Sequence, residues 1–275
     1  MLSQSQITKP IARTLLSALL ALTAASGHAQ TKPLNDTGQT LCYNAADAPV
    51  ACSAAVGGDA GVNPRQDARY GRDAQAAAGQ LTKIGAGAAG FDYSKIANNG
   101  STLAASATLG TATTDWACTK DNVTGLIWEV KTTSGLRSVS HTYTWYSTNA
   151  TTNGGNAGAL GTNTCGGTLA ACSNQCNTQN YVAAVNTAAL CGATDWRLPS
   201  RREPRTLVDA GATNPSIDGT YFPNTSATNW HWTSATYAAV PAGAWVVDFS
   251  VGYGNSSDDY KAYDVYVVRL VRGGQ

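Results

Sequence analysis

Seven cysteines, at positions 42, 52, 118, 165, 172, 176 and 191, are the residues of this chain best suited to covalent chemistry. Zinc-thiolate centres favour two close Cys-x-x-Cys pairs. Only Cys172 and Cys176 come near that spacing, so no metal site is expected. The other outcome for these thiols is disulfide formation, which requires an oxidising compartment. Residues 1–29 supply the route to one. Lys9 and Arg13 precede an apolar run containing Leu15, Leu16, Leu19, Leu20 and Leu22, and Gly27-His28-Ala29 offers small residues for cleavage before Gln30. The run is shorter than the ~20 residues of a membrane span. An exported protein, periplasmic or at the cell surface, with no membrane span is therefore expected. Because seven is odd, at least one thiol stays outside any bridge within the chain.

Acid–base chemistry has few candidates. With His28 in the leader, only His141 and His231 remain, and their spacing is not that of metal ligands. His-Glu-x-x-His, a glycine loop ending in Lys-Ser/Thr and Gly-x-Ser-x-Gly are all missing from the sequence. The reading is a non-enzyme with no catalytic residue and no cofactor. Without Lys9 and Arg13 the chain holds 16 basic and 17 acidic residues, so no positive field draws it to nucleic acid or anionic lipid.

Non-covalent recognition has a better candidate in residues 253–266, YGNSSDDYKAYDVY. Tyr, Ser, Asn, Asp and Gly combine rigid aromatic area with adaptable hydrogen bonding, the mixture found in paratopes. The expected ligand contacts are Tyr253, Asn255, Ser256, Asp258, Asp259, Tyr260, Tyr263 and Asp264, with His231 from an earlier strand. The ligand would be a glycan or a protein surface. The competing reading is a turn-rich hairpin whose tyrosines cover a core edge. A basic group, Arg201, Arg202 and Arg205, could meet anionic glycans bidentately, but a solvated helix face pairing with Glu203 and Asp209 is the favoured account. Glu203-Pro204-Arg205 departs from a lectin Glu-Pro-Asn loop, because Arg205 puts a cation where calcium needs an oxygen.

The elements that must position these residues follow from tryptophan. All seven tryptophans lie after residue 115. Aromatics carry much of a core's burial energy, so the packed domain is expected over residues 113–275. Residues 30–112 would be a Gly/Ala-rich N-terminal extension, held by a Cys42–Cys52 bridge. Residues 125–131 (GLIWEVK) and 142–146 (TYTWY) read as strands. Tyr181, Val182, Val185, Ala189 and Leu190 recur at helical spacing behind the caps Asn177 and Thr178. A second helix is expected from Ser200 through Asp209, with Pro204 in its opening turn. Late strands are expected at 229–235, 244–251 and 264–272, the last of them central. Alternation puts Trp245, Val247 and Phe249 on one face. Two helices followed by late strands indicate an α+β fold.

Five ordered segments resemble one family: Asp121-Asn122-Val123-Thr124-Gly125-Leu126-Ile127-Trp128-Glu129, then Cys191-Gly192-Ala193-Thr194-Asp195-Trp196-Arg197-Leu198-Pro199-Ser200, then Trp232-Thr233-Ser234-Ala235, Ala244-Trp245, and Val268-Arg269-Leu270-Val271-Arg272-Gly273-Gly274-Gln275. Together they resemble the Legionella collagen-like protein C-terminal domain family. The resemblance implies a C-type-lectin-like fold related to formylglycine-generating-enzyme-like domains, in exported bacterial proteins, some of which adhere to glycans such as glycosaminoglycans. Pro204 departs from the family pattern, which has Leu after Arg-Glu. No cysteine follows Cys191, so the copper-binding pair of the formylglycine chemistry has no counterpart. Trp128 and Trp196 are read as core, and Arg197 as a partly buried guanidinium on backbone carbonyls. Cys118–Cys191 is expected to tie the first strand region to the end of the first helix. Cys165 is paired with Cys176, leaving Cys172 over. The terminal segment also looks similar to variable regions of diversity-generating retroelement targets, which would make Val246, Asp248, Ser250, Val251 and residues 253–265 ligand-facing. The alternative to a binder is a structural or assembly protein of the bacterial envelope.

Overall fold

The structure, a computed structural model, describes residues 35–52, 66–251 and 256–273. The leader, Tyr253 and Asn255 lie outside the described residues. The fold is α+β, with few helices, two main antiparallel sheets and three disulfides. Among the described residues no helix is long and apolar enough to cross a membrane.

A small hairpin opens the described chain, with β1 (Cys42–Tyr43) paired to β2 (Pro49–Val50) and closed by the Cys42–Cys52 disulfide. Two short helices follow, α1 (Asp67–Tyr70) and α2 (Arg72–Ala77). The first sheet then runs in the order β10-β6-β5-β3-β4, formed by β3 (Tyr93–Ala97), β4 (Thr102–Leu103), β5 (Trp116–Asp121), β6 (Ile127–Glu129) and β10 (Val271–Arg272). Its central strand β5 buries Trp116, Ala117, Cys118 and Thr119 in succession, as a strand covered on both faces must. The turn from β5 to β6 explains the first family-like segment. The Asp121 carboxylate accepts from the amides of Val123 and Thr124, and Gly125 takes φ +74°, where a side chain would be strained.

The core begins upstream of the expected boundary at Thr113. Strand β3 sits between β4 and β5, and Phe91 and Tyr93 are fully buried, stacked at 5.6 Å, with Tyr93 edge-on to Phe222 at 5.2 Å. Placing the boundary by tryptophan overlooked these smaller aromatics. Residues 30–112 are thus not wholly an extension.

Helix α3 (Thr178–Thr187) forms where the periodicity predicts it. Asn177 caps it by accepting from the Asn180 amide at 2.9 Å, and Tyr181 and Val185 are buried. The second helix does not form. Between Ser200 and Asp209 only a 3₁₀ turn appears, Pro204–Leu207. Pro204 donates no bond, and Glu203 is already held by the Ser200 amide at 2.6 Å and bidentately by Arg197 at 2.7 and 2.8 Å. Glu203 therefore pairs with Arg197 and not in the expected way with the basic group around it. Arg197 also reaches the carbonyls of Leu198 and Gly273, at 3.2 Å each, in the expected manner.

The second sheet has the order β7-β8-β9, from β7 (His231–Thr236), β8 (Gly243–Val247) and β9 (Ser256–Tyr260). Residues 142–146 are extended but make no ladder. Tyr143 bridges Tyr266, Thr144 bridges Asn177 and Tyr146 bridges Gly158, three different neighbours. The terminal strand is shorter than expected, yet its segment joins the two sheets. Val267 bridges His231, Val271 pairs with Trp128 on one side and bridges Arg197 on the other, and residues 267–271 are all buried. Three buried indoles find acceptors, Trp145 donating to Thr233 O, Trp196 to Leu190 O and Trp232 to Tyr143 O, whereas the Trp128 indole has no partner.

All three disulfides join the expected partners, Cys42–Cys52, Cys118–Cys191 and Cys165–Cys176, and Cys172 is free.

Candidate binding surface

Residues directly opposite in an antiparallel pair share a face. In β8 and β9, Gly243 faces Tyr260 and Trp245 faces Asp258, while Ala244 faces Asp259 and Val246 faces Ser257. Ala244, Val246 and Trp232 belong to the main core, so the other face carries Gly243, Trp245, Asp258 and Tyr260. At its Val247 end that face is sealed by Phe249 and His231. At its Gly243 end it is open. There Trp245 is half-buried, with the Arg201 guanidinium 3.4 Å from its ring centroid and Tyr237 edge-on at 5.4 Å. A shallow recess of about 110 Å³ is lined by Val240, Gly243, Asp258, Asp259 and Tyr260.

The turn after β9 presents Tyr260 and Tyr263, 55% and 48% exposed, with rings edge to face at 5.6 Å. Lys261, between them, points the other way and is 1% exposed. Its ammonium donates to the carbonyls of Asn153 and Asn156 at 2.8 and 2.7 Å and lies 4.4 Å from the Trp145 ring centroid. Burial lowers its pKa. The Lys261 backbone is held on both sides, by Ala242 O and the Trp145 amide. Asp259 accepts from the Tyr266 hydroxyl, and Tyr266 stacks on Trp230 and sets its edge to Trp232. Burial, then the bond to Asp259, raises the Tyr266 phenol above its ordinary range. Asp264 accepts from Thr162 Oγ1 at 2.9 Å. The two tyrosines therefore stand on a turn fixed from beneath by a buried cation and an aromatic stack.

Of the expected contacts, Asp258, Asp259, Tyr260 and Tyr263 come together here, Ser256 opens β9 opposite Val247, and the Asp264 carboxylate turns to Thr162. His231 does not belong. It is 3% exposed, edge-on to Phe249 at 5.0 Å, and is a core residue. Val246 is fully buried, and the Asp248 carboxylate closes a turn onto Ser250, so neither faces a ligand. Sequence reasoning missed the part of Trp245 and Tyr237 and gave Arg201 to a helix. A second recess, of about 390 Å³, lies elsewhere and is lined by Asn98, Thr111, Thr132, Ser134, Arg137 and their neighbours. Arg137 is committed there to the carbonyls of Ala117, Val130 and Gly110.

The burial of His231 has a measurable consequence. Burial, then the charges of Arg269 and Lys131, hold its pKa well below the ordinary 6.5, and burial lowers that of His141. Above pH 6.5 both are neutral folded and unfolded. Below it the unfolded chain takes up protons that the folded chain refuses, so stability falls with pH from that point, by up to about 1.4 kcal/mol per pH unit per histidine. Replacing His231 by Gln is expected to flatten part of this slope in urea unfolding between pH 7.5 and 5.5. An unchanged slope would remove His231 from the account.

These features define a class: a disulfide-bonded α+β domain whose second sheet presents a fixed aromatic edge bordered by carboxylates. The chain belongs to the Lcl C-terminal domain family, which it matches over residues 117–272. No curated protein and no solved structure matches it. Strand β3 and everything before it lie upstream of the matched span.

Proposed function

We propose that this chain is an exported, non-enzymatic binding protein with a C-type-lectin-like domain, and that it recognises glycan through the open edge of its second sheet. The observation that carries this reading is the exposed pair Tyr260 and Tyr263, on a turn that buried Lys261 fixes in place. An immobilised aromatic pair loses little entropy on binding. The recess beside it is far smaller than the roughly 300 Å³ of an enclosed ligand pocket, which suits the edge of a sugar ring or one side chain. Asp258 and Asp259 line the recess, the Asp259 carboxylate already accepting from the Tyr266 hydroxyl. Carboxylates accept from sugar hydroxyls but repel sulfate, so the ligand is a neutral glycan and not the glycosaminoglycan type that the family resemblance implies. The disulfides and the leader-like residues 1–29 support export.

A glycan array read with the full mature chain tests this. Neutral glycans are expected to be retained, with weak retention on heparin. Tyr260→Ala and Tyr263→Ala should each weaken binding about tenfold, corresponding to ~1.4 kcal/mol, with unchanged thermal stability because both rings are exposed. Full retention by the double variant would overturn the assignment of the surface. Retention by no glycan would favour an envelope assembly role.

A further inference from the structure

The two short helices α1 and α2 pose a problem of cohesion. Neither buries an apolar side chain, and the one buried residue between them is Asp73. Asp73 is 3% exposed and Asp36, from the segment preceding β1, is 9% exposed. Each has a buried Oδ2 that no N–H or hydroxyl group reaches, the two carboxyls lying within hydrogen-bond reach of each other, and neighbouring Asn35, wholly buried, has neither side-chain atom partnered. Asp67, Asp73 and Asp36 each place one carboxylate oxygen within 4.8 Å of the other two. Gly90 lets two of them converge. Its amide donates to Asp73 Oδ1 at 2.8 Å, and a Cβ at that position would overlap Asp36 Oδ2.

We propose that Asp36, Asp67 and Asp73 bind a hard divalent cation, calcium by its chemistry, which clamps the segment around Asn35 and the helices α1 and α2 to the loop before β3. Buried carboxylate oxygens without donors are costly unless a positive charge meets them. Oxygen-only donors select calcium or magnesium over zinc or copper, which prefer nitrogen and sulfur. Calcium–oxygen distances of about 2.3–2.6 Å put opposite ligands about 4.6–5.2 Å apart, which accommodates this spacing. Water and backbone carbonyls would complete the shell. The clamp stands in for the missing apolar packing and lies outside the tyrosine surface, so it does not depend on the proposed function.

Calorimetric titration of the chelator-treated full mature chain with calcium chloride tests the site, with magnesium and zinc in parallel arms. One calcium per chain is expected, with affinity on the order of 10⁻⁴–10⁻³ M, as in extracellular modules. Calcium should also raise the melting temperature and slow tryptic cleavage at Arg69 and Arg72. Asp36→Asn and Asp73→Asn keep an oxygen acceptor, and each should weaken calcium binding at least tenfold while leaving the melting temperature of the chelated protein in place. Absence of heat and of a melting shift at about 10 mM calcium, ten times the weakest affinity above, would overturn the proposal and leave the two acids sharing a proton. So would a calcium response that survives both substitutions, or a preference for zinc. If either variant fails to fold, the titration of the unmodified chain still decides.

Discussion

Glu129→Gln is expected to lower the unfolding free energy by about 3–5 kcal/mol, the cost of leaving a buried charge without its partner. Glu129 is fully buried and Lys131 is 2% exposed, with Oε1 and Nζ 3.0 Å apart. Every polar atom of the pair is engaged by a residue far away in sequence. Tyr181 of α3 donates to Oε1 and lies 2.9 Å from the ammonium, and the Leu270 amide donates to Oε2 at 2.9 Å. Burial alone would raise the Glu129 carboxyl, but the Lys131 charge and these bonds outweigh it and hold it below the ordinary glutamate range. The carboxylate is therefore ionised in the folded protein. Its contribution is present above the unfolded pKa of 4.5 and is lost as pH falls through the lower folded value. In Glu129→Gln the Lys131 ammonium loses its counter-charge inside the core. Lys131→Met should cost a similar amount by stranding the carboxylate. The double variant should cost clearly less than the sum, because it removes both charges. Urea midpoints at constant m measure all three. A Glu129→Gln penalty below about 1 kcal/mol, the size of an exposed pair, would show that the network does not hold these elements together.

The same residues show how much of the fold was legible. Glu129 and Lys131 stand in GLIWEVK, which reads as a strand and is one, but nothing local announces that two charges at i and i+2 face inward. Their partners, Tyr181 and Leu270, lie 50 and 141 residues away from Lys131 and Glu129. Local signals did well where the cause is local. The Asn177 cap, the helical period of Tyr181 and Val185, and the short alternation in β8 each depend on near neighbours. They failed where a distant contact decides. The stretch after Ser200 has a helix-like start, but Arg197, itself held by the Gly273 carbonyl of the terminal segment, draws Glu203 away and only a 3₁₀ turn remains.

The candidate surface divides in the same way. Composition located Asp258, Asp259, Tyr260, Tyr263 and Asp264 because tyrosine and aspartate crowd one segment, whichever way they point. It could not see β9 inside that segment, since Ser256–Tyr260 lacks β-formers apart from its last residue and pairs only because β8 offers an edge. Nor could it see that Lys261, flanked by small and polar residues, is the anchor and not a solvated charge. The ligand-like look of His231 was reversed by burial, which pattern alone does not report.

The second large effect is expected at Cys118–Cys191. Replacing both by Ala should remove about 4 kcal/mol, from the chain entropy of a closure spanning 73 residues. The other two bridges close 10 and 11 residues and are each worth about 3 kcal/mol by the same relation, so the long bridge should rank first. Position widens the gap. Cys118 is fully buried in the central strand β5, opposite Ile96 of β3 and Glu129 of β6, whereas Cys42–Cys52 ties only the β1–β2 hairpin. Cys191 holds the turn after α3, next to Leu190, whose carbonyl receives the Trp196 indole. Losing the bridge thus frees α3 from the first sheet at the point where the family-like Trp196 segment begins. Thermal and urea unfolding of the three double-alanine variants should place Cys118/Cys191 lowest by at least about 1 kcal/mol, given the difference in loop length. If Cys42/Cys52 proves equally damaging, the N-terminal hairpin carries more of the domain's stability than its few pairings indicate. The ordering by loop length would then fail.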